Sequence, residues 1–157
     1  MFLHGLESGP HGAKWEILSQ KYDGVLAPDC RGLLDVEDRV TKCLRELRSP
    51  AYLVGSSFGG LVAGLIATRH PQLVRGLLLA APAFHKDEAS EIDLLKMPLF
   101  IIHGVNDKVV PVEYSRLFQK RQDPMTSLLV EVDDGHRLQH SRDVFMALAD
   151  ELIPNTD

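Results

Sequence analysis

The sequence predicts an α/β fold of the three-layer sandwich type, in which helices cover both faces of a mostly parallel sheet. Two observations predict it. Short apolar runs alternate with helix-like stretches along the whole chain. Each apolar run is followed closely by Gly, Pro, Asp or His, and the connections are short. Strand–helix repeats of this kind build parallel sheets, because each right-handed crossover lays its helix on the sheet.

The strands are expected to number about six, a sheet of ordinary size. In chain order the apolar runs are residues 2–4, 24–27, 51–55, 75–80, 98–103 and 127–132. The predicted helices are residues 14–21, 35–48, 58–70, 112–121 and 142–152. The segment APAFHKDEASEIDLLKMP, after the fourth strand, is expected to form a short lid or crossover. No linker, repeat or low-complexity tract divides the chain, so residues 1–157 are expected to form a single domain.

Composition favours a globular protein with a substantial core. Of 157 residues, 45% are hydrophobic and 25% are charged. The formal net charge is -5 and no basic run is present, which disfavours nucleic acid as a partner. The two cysteines, Cys30 and Cys43, have neither metal-like nor CxxC spacing, which indicates a reducing compartment.

The N-terminal sequence MFLHGLESGPHG turns polar after three residues, so it lacks the long apolar core of a signal peptide. We therefore expect a cytoplasmic protein. An uncharged stretch at 51–68 has the length of a membrane span, but GSSFGG interrupts it with residues typical of a turn. No membrane association is expected, and the oligomeric state stays open.

Reactive residue types cluster where the predicted strands end. These ends carry HGL at 4–6, PDCRG at 28–32, GSSF at 55–58, AP at 81–82, HGVND at 103–107 and DDGH at 133–136. In open α/β sheets, functional groups gather outside the carboxyl ends of the strands. This edge of the sheet is therefore the predicted functional face.

The sequence GSSFG at 55–59 matches GxSxG, the nucleophile elbow, with Ser57 at its centre. Glycines flank the serine because a sharp strand-to-helix turn brings backbone segments into near contact and leaves the hydroxyl exposed. A buried strand before the motif and an apolar helix after it are the context that the motif requires. The structural alternative is a turn whose small residues serve only for packing.

A serine hydroxyl needs a base to remove its proton, and the base needs an acid to orient it. His136 follows the last predicted strand and is the candidate base, although it could instead be a solvent-facing loop histidine. Asp107 follows the strand before it and is the candidate acid. Asp133 and Asp134 also lie near His136 in sequence and remain alternatives, as does a purely structural turn role for Asp107.

An oxyanion hole needs two backbone N–H groups aimed at the developing charge. Phe58, directly after the serine, is expected to supply one, and Leu6, in the turn that Gly5 allows, is expected to supply the other. The alternative is that HGLESGPHG is only a flexible turn.

No cofactor or metal is expected. The histidines show no ligand spacing, and neither GxGxxG nor the Walker lysine occurs. His4 and His103, each just before a glycine, are expected to brace loops through hydrogen bonds rather than to carry protons.

The sequence resembles the α/β-hydrolase superfamily over nearly the whole chain. The resemblance is carried by the HGL turn, by DCRG at 29–32, by the elbow around Ser57, and by the loops that contain Asp107 and His136. The opening HGLESGPHGAKW further resembles compact bacterial esterase-like hydrolases. The resemblance implies a reduced α/β-hydrolase fold with a minimal lid, and attack of Ser57 on an ester-like carbonyl to form an acyl-enzyme that water hydrolyses.

The resemblance and the short lid together imply an exposed pocket, lined by Leu6, Phe58, Phe84 and Leu138, for a small-molecule acyl substrate. Small or medium carboxylic esters are expected to fit it best. A thioesterase or peptidase with the same three residues stays possible, because the leaving group is chosen by pocket shape. So does a binding protein that keeps the fold without catalysis.

Overall fold

The computed structural model describes residues 1–154. Within them, one sheet of five parallel strands runs in chain order, β1-β2-β3-β4-β5. The strands are β1 (Phe2–Leu3), β2 (Ala51–Ser56), β3 (Val74–Ala80), β4 (Leu99–Gly104) and β5 (Ser127–Val132). The α/β prediction is confirmed, and all five strands lie within a residue or two of predicted ones.

Five α-helices cover this part of the chain. They are α1 (Ala13–Ser19), α2 (Val36–Glu46), α3 (Phe58–Arg69), α4 (Val112–Gln119) and α5 (Arg142–Leu152). Helices α2, α3 and α4 pack with Leu77, Leu79 and Ile101 on one face of the sheet. Helices α1 and α5 pack with Leu78, Ala80 and Ile102 on the other. Successive side chains of a strand point to opposite faces, and here both faces are covered by helices. For this reason β3 and β4 are apolar along nearly their whole length.

Local sequence explains where α2 begins and why α3 lies in the interior. The side chain of Asp35 caps α2 by accepting hydrogen bonds from the N–H groups of Glu37 and Asp38, at 2.8 and 3.2 Å. Helix α3 has no polar face, and its first ten residues are all buried. The sheet covers one side of this helix, and α2 and the segment after β3 cover other sides, so it needs no polar face.

The strand predicted at residues 24–27 is not formed. This segment runs beside β1 but makes only one backbone hydrogen bond to it, from the Phe2 N–H to the Leu26 carbonyl oxygen at 2.7 Å. Since β1 itself is two residues long, it offers too few partners for a ladder. The sheet therefore has five strands within residues 1–154 instead of about six.

The segment after β3 is short, as predicted, and it contains a 3-10 helix at Asp87–Glu91. Its apolar side chains pack into the core that surrounds α3, and the Ile92 side chain lies directly against Gly64. It therefore covers one side of helix α3. No helix between residues 1 and 154 combines the length and apolar character required to cross a lipid bilayer.

Candidate active site

Ser57 occupies the turn between β2 and α3 in a backbone conformation that is rare for a residue with a side chain. Its φ is 53° and its ψ is -117°. The turn is held by hydrogen bonds from the Ser57 N–H to Ala80 O, at 2.9 Å, and from the Ala83 N–H to Ser57 O, at 3.0 Å. A strained residue that is fixed by its neighbours in this way is characteristic of a functional position.

Two glycines of the motif are required by close backbone contacts. A methyl group added to Gly59 would collide with the carbonyl group of Leu3 in β1. One added to Gly55 would lie 2.6 Å from the carbonyl oxygen of Gly59. The turn is therefore tight enough that only glycine fits at either position, which is the physical reason for the GxSxG pattern.

The side chains of Ser57, His136 and Asp107 form a continuous chain of hydrogen bonds. Ser57 Oγ lies 3.0 Å from His136 Nε2, and His136 Nδ1 lies 2.7 Å from Asp107 Oδ2. Because an ionised carboxylate only accepts, Nδ1 carries the proton and Nε2 is free to accept one from the serine. The three residues follow β2, β4 and β5, so the sheet edge brings together the three residues predicted from sequence.

The carboxylate of Asp107 is buried and fully engaged. Its Oδ1 accepts hydrogen bonds from the N–H groups of Val109 and Val110, both at 2.8 Å. Burial alone would raise the pKa of this carboxyl, but the hydrogen bonds from His136, Val110 and Val109 outweigh it and lower that pKa below its usual value. Asp107 thus remains ionised beside the imidazole at neutral pH.

The two competing aspartates have other partners. Asp134 accepts hydrogen bonds from the Gly135 and His140 N–H groups, at 2.7 and 2.8 Å, and from the Ser141 hydroxyl at 2.9 Å. Asp133 accepts one from the side chain of Asn106 at 2.7 Å. Asp134 therefore organises the loop that carries His136, and it is Asp107 that contacts the imidazole.

The turn that carries Leu6 lies against Ser57. A methyl group added to Gly5 would be 3.5 Å from the Ser57 Cβ. Within residues 1–154, the backbone N–H groups of Leu6 and Phe58 donate no hydrogen bond to another part of the chain. Two unused donors thus flank the serine, which is the pattern expected of groups that await a ligand oxygen.

Arg39 of α2 is a site residue that the sequence did not reveal. It is only 2% exposed, although it carries a charge. Its Nη1 donates to the carbonyl oxygen of His4 at 2.9 Å, its Nε donates to that of Leu33 at 2.7 Å, and its guanidinium lies 5.1 Å from the ring centroid of Phe58. It thereby joins the turn before Leu6 to the residue after Ser57.

His4 supports the same turn. Its Nε2 accepts a hydrogen bond from the Cys30 N–H at 3.0 Å, while its Nδ1 donates to Gly5 O at 2.8 Å. Burial lowers the pKa of His4, which favours the neutral ring that this pair of bonds requires. The predicted bracing role of His4 agrees with these contacts.

Two of the residues expected to line the pocket, Phe84 and Leu138, are buried. Phe84 is 6% exposed and stacks on Phe118 at a centroid distance of 4.1 Å, inside the core around α3. Leu138 is 2% exposed and packs beneath α5, on the other face of the sheet. Leu6 is 37% exposed, and the composition of the pocket stays a prediction.

An open cleft of about 450 Å³ adjoins His136 instead. Polar residues of the loops after β4 and β5 line it: Asn106, Asp133, Asp134, Gly135, Arg137, Gln139 and His140. The side chain of Lys14 fixes this loop from α1 by donating to Arg137 O at 2.9 Å. Among the residues that the structure describes, no group of three or more His, Cys, Asp or Glu side chains is arranged to hold a metal ion.

The sequence model of the alpha/beta hydrolase family matches residues 1–150. The chain therefore belongs to the alpha/beta hydrolase family. No curated protein matches the chain significantly.

Solved structures of the same architecture cover almost the whole chain. A protein of the alpha/beta superfamily of hydrolases from Xanthomonas campestris pv. campestris is 25% identical, with a TM-score of 0.79 over 96% of this chain and 97% of that one. Est1E from Butyrivibrio proteoclasticus is 18% identical, with a TM-score of 0.82 over 96% and 84%. Paleococcus ferrophilus monoacylglycerol lipase is 16% identical, with a TM-score of 0.76 over 96% and 92%. These likenesses establish the shared fold.

Proposed function

We propose that this chain is a serine hydrolase that cleaves small or medium carboxylic esters through an acyl-enzyme on Ser57. The observation that carries the proposal is the chain of hydrogen bonds from Ser57 Oγ through His136 to Asp107, with distances of 3.0 and 2.7 Å. A serine, an imidazole and a carboxylate in this geometry form the proton-transfer system that activates a hydroxyl for acyl transfer.

Two successive reactions follow from these groups. Ser57 Oγ attacks the ester carbonyl carbon while its proton passes to His136 Nε2, and the same proton then goes to the departing alcohol oxygen. Water next attacks the acyl-enzyme carbonyl carbon while His136 Nε2 takes its proton, and as the bond from that carbon to Ser57 Oγ breaks the proton passes to Oγ and the carboxylic acid leaves. Asp107 stays ionised throughout and stabilises the imidazolium that forms twice in each turnover.

The N–H groups of Leu6 and Phe58 are the proposed oxyanion hole. Both flank Ser57 and neither donates to another part of the described chain. Donors that are fixed before the reaction stabilise the carbonyl oxygen as it becomes negative, and one such donor contributes about 10²–10³ in rate. Arg39 and His4 hold the backbone that carries Leu6.

Openness of the site supports the proposed substrate size. The segment between β3 and β4 packs its apolar side chains into the core around α3, and the cleft beside His136 is lined mostly by residues with polar side chains. A long acyl chain would find little apolar cover there, whereas a short acyl group needs none. The names of two structural neighbours, a monoacylglycerol lipase and Est1E, which was also solved with ferulic acid bound, are consistent with ester chemistry.

Hydrolysis of a series of p-nitrophenyl esters from acetate to palmitate tests the proposal. We expect kcat/KM to be highest for short or medium acyl groups, and S57A and H136A each to lose nearly all turnover while they remain folded. Acyl-thioesters of the same chain lengths form the matched series. Faster cleavage of thioesters than of esters would replace the esterase by a thioesterase, and no turnover of either series would leave a non-catalytic binding protein.

A further inference from the structure

A second histidine contacts the carboxylate of Asp107. His103 lies in β4, is fully buried, and its Nε2 is 3.1 Å from Asp107 Oδ2. The same oxygen receives His136 Nδ1 at 2.7 Å. Asp107 Oδ2 thus lies between two imidazoles, and only His136 reaches Ser57.

The surroundings of His103 determine which of its nitrogens carries the proton. Its Nε2 is also 2.9 Å from the carbonyl oxygen of Val110, and both neighbours of Nε2 only accept. Its Nδ1 is 2.8 Å from the hydroxyl of Ser115, which is fully buried in α4 and is able to donate. The ring is therefore the Nε2–H tautomer, with the Ser115 hydroxyl donating to Nδ1.

A neutral ring is consistent with this arrangement. Burial is the largest influence on His103 and lowers its pKa, although Val110 and Asp107 act in the opposite direction. No second charge therefore enters beside the carboxylate at neutral pH. His103 acts on Asp107 as a fixed neutral donor.

With His103 included, Asp107 accepts four hydrogen bonds. Val109 and Val110 hold Oδ1 through their N–H groups, while His103 and His136 share Oδ2. The two backbone bonds alone leave the carboxylate able to tilt about the Cβ–Cγ bond. A second buried donor to Oδ2, the Nε2–H of His103 that the Val110 carbonyl oxygen also accepts, resists that tilt and holds the oxygen that His136 Nδ1 contacts.

We infer that His103 is a positioning residue for the reaction, because its Nε2–H fixes the Asp107 oxygen that orients His136. The inference rests on the proposed function, in which Asp107 orients the base. It assigns to His103 a part in turnover that goes beyond bracing the loop after β4.

Two amide variants test whether the position of the N–H at residue 103 matters for turnover. Glutamine at 103 places an N–H close to where Nε2 lies, whereas asparagine places one near the position of Nδ1, toward Ser115. We expect H103Q to retain most of kcat. We expect H103N to lose about 10-fold to 10²-fold in kcat, the range that a misplacement of about 1 Å can cost, with KM changed less than about twofold.

Both rates are expressed per reactive serine, titrated with a fluorophosphonate, so that a loss of folded protein does not count as a loss of kcat. Equal kcat values for H103Q and H103N would overturn the inference, because the N–H that lies within reach of Asp107 Oδ2 would then have no effect on turnover. A wild-type protein that neither reacts with the fluorophosphonate nor hydrolyses esters would instead contradict the proposed function.

A measurement on the unaltered protein tests the same contact if the variants fail to fold. Long-range proton–nitrogen NMR correlations distinguish the two neutral tautomers and the imidazolium. We expect His103 to be the Nε2–H tautomer at pH 7. This result does not depend on whether the protein hydrolyses esters. An Nδ1–H tautomer would overturn the inference, since Nε2 would then have no proton to donate to Asp107.

Discussion

The guanidinium of Arg39 lies 5.1 Å from the ring centroid of Phe58, and it also donates to the carbonyl oxygen of His4 at 2.9 Å. One buried cation on α2 therefore holds both sides of the proposed oxyanion hole. A buried charge without a carboxylate partner is costly, and here carbonyl oxygens and an aromatic face compensate for part of the lost water, while Nη2 has no hydrogen-bond partner.

Replacing Arg39 by methionine tests this arrangement. Methionine fills a similar volume but leaves the carbonyl oxygens of His4 and Leu33 without their donor. We expect kcat for ester hydrolysis to fall by about 10-fold or more, because the donor at Leu6 loses its support. R45M alters an exposed arginine of the same helix and is the matched control, with stability unchanged within about 0.5 kcal/mol. Equal kcat values for R39M and R45M would contradict the role.

Substitutions of the aspartates test which acid orients the base. D107N should reduce kcat by about 10⁴, because the amide cannot hold His136 in the tautomer with Nδ1 protonated. D133N alters an exposed carboxylate in the loop that carries His136 and should retain nearly full activity. Kinetics on one short ester decide the matter, and an active D107N enzyme would show that the acid lies elsewhere.

Stability should decrease as the pH falls from 7 to 5. Burial lowers the folded-state pKa of both His4 and His103, so the unfolded chain binds protons first, below about pH 6.5, and unfolding becomes easier. Each such histidine contributes a slope of at most about 1.4 kcal/mol per pH unit. Asp107 has a lowered carboxyl pKa, so its stabilising effect is lost only at more acid pH, below about 4.

Urea unfolding at pH 7, 6 and 5 measures this dependence. The H103Q protein, which lacks one titrating group, should show a smaller decrease in the free energy of unfolding than the wild type. Identical decreases in the two proteins would mean that His103 already carries a proton in the folded state.

Replacing Gly59 by alanine should have the opposite effect on stability from the same replacement in an ordinary helix. In a helix interior, alanine is about 1 kcal/mol more favourable than glycine. G59A should nevertheless destabilise the protein by about 4 kcal/mol or more, or prevent folding, because its methyl group meets the Leu3 backbone. G64A meets only the end of the flexible Ile92 side chain and should cost much less. Urea unfolding of both variants checks the order, and equal stability would contradict the close contact at Gly59.

Much of the site could be predicted because its residues lie at the ends of strands. GxSxG has a local steric cause, and the residues of the loops after β4 and β5 follow from the rule that parallel strands end at one edge. The prediction of a strand at 24–27 was wrong. The segment has the apolar residues of a strand, but β1, its neighbour, is only two residues long and cannot pair with it along its length. Pairing depends on a partner that local sequence does not describe.

Arg39 and His103 show what sequence patterns could not reveal. Arg39 occupies a helix position that reads as a solvated charge, and only the tertiary fold buries it against His4 and Phe58. His103 was recognised as a loop brace, but its contact with Asp107 Oδ2 is visible only in three dimensions. The burial of Phe84 and Leu138 likewise depends on tertiary packing that local sequence does not describe.

The central claim is that His136 activates Ser57 as a nucleophile, and covalent labelling tests it most directly. Intact-protein and peptide mass spectrometry after treatment with a fluorophosphonate should find one adduct per chain, on Ser57. The S57A protein should carry none, and H136A should react far more slowly, because the hydroxyl then has no base at 3.0 Å. An unmodified wild-type protein, or labelling of H136A at the wild-type rate, would contradict the account.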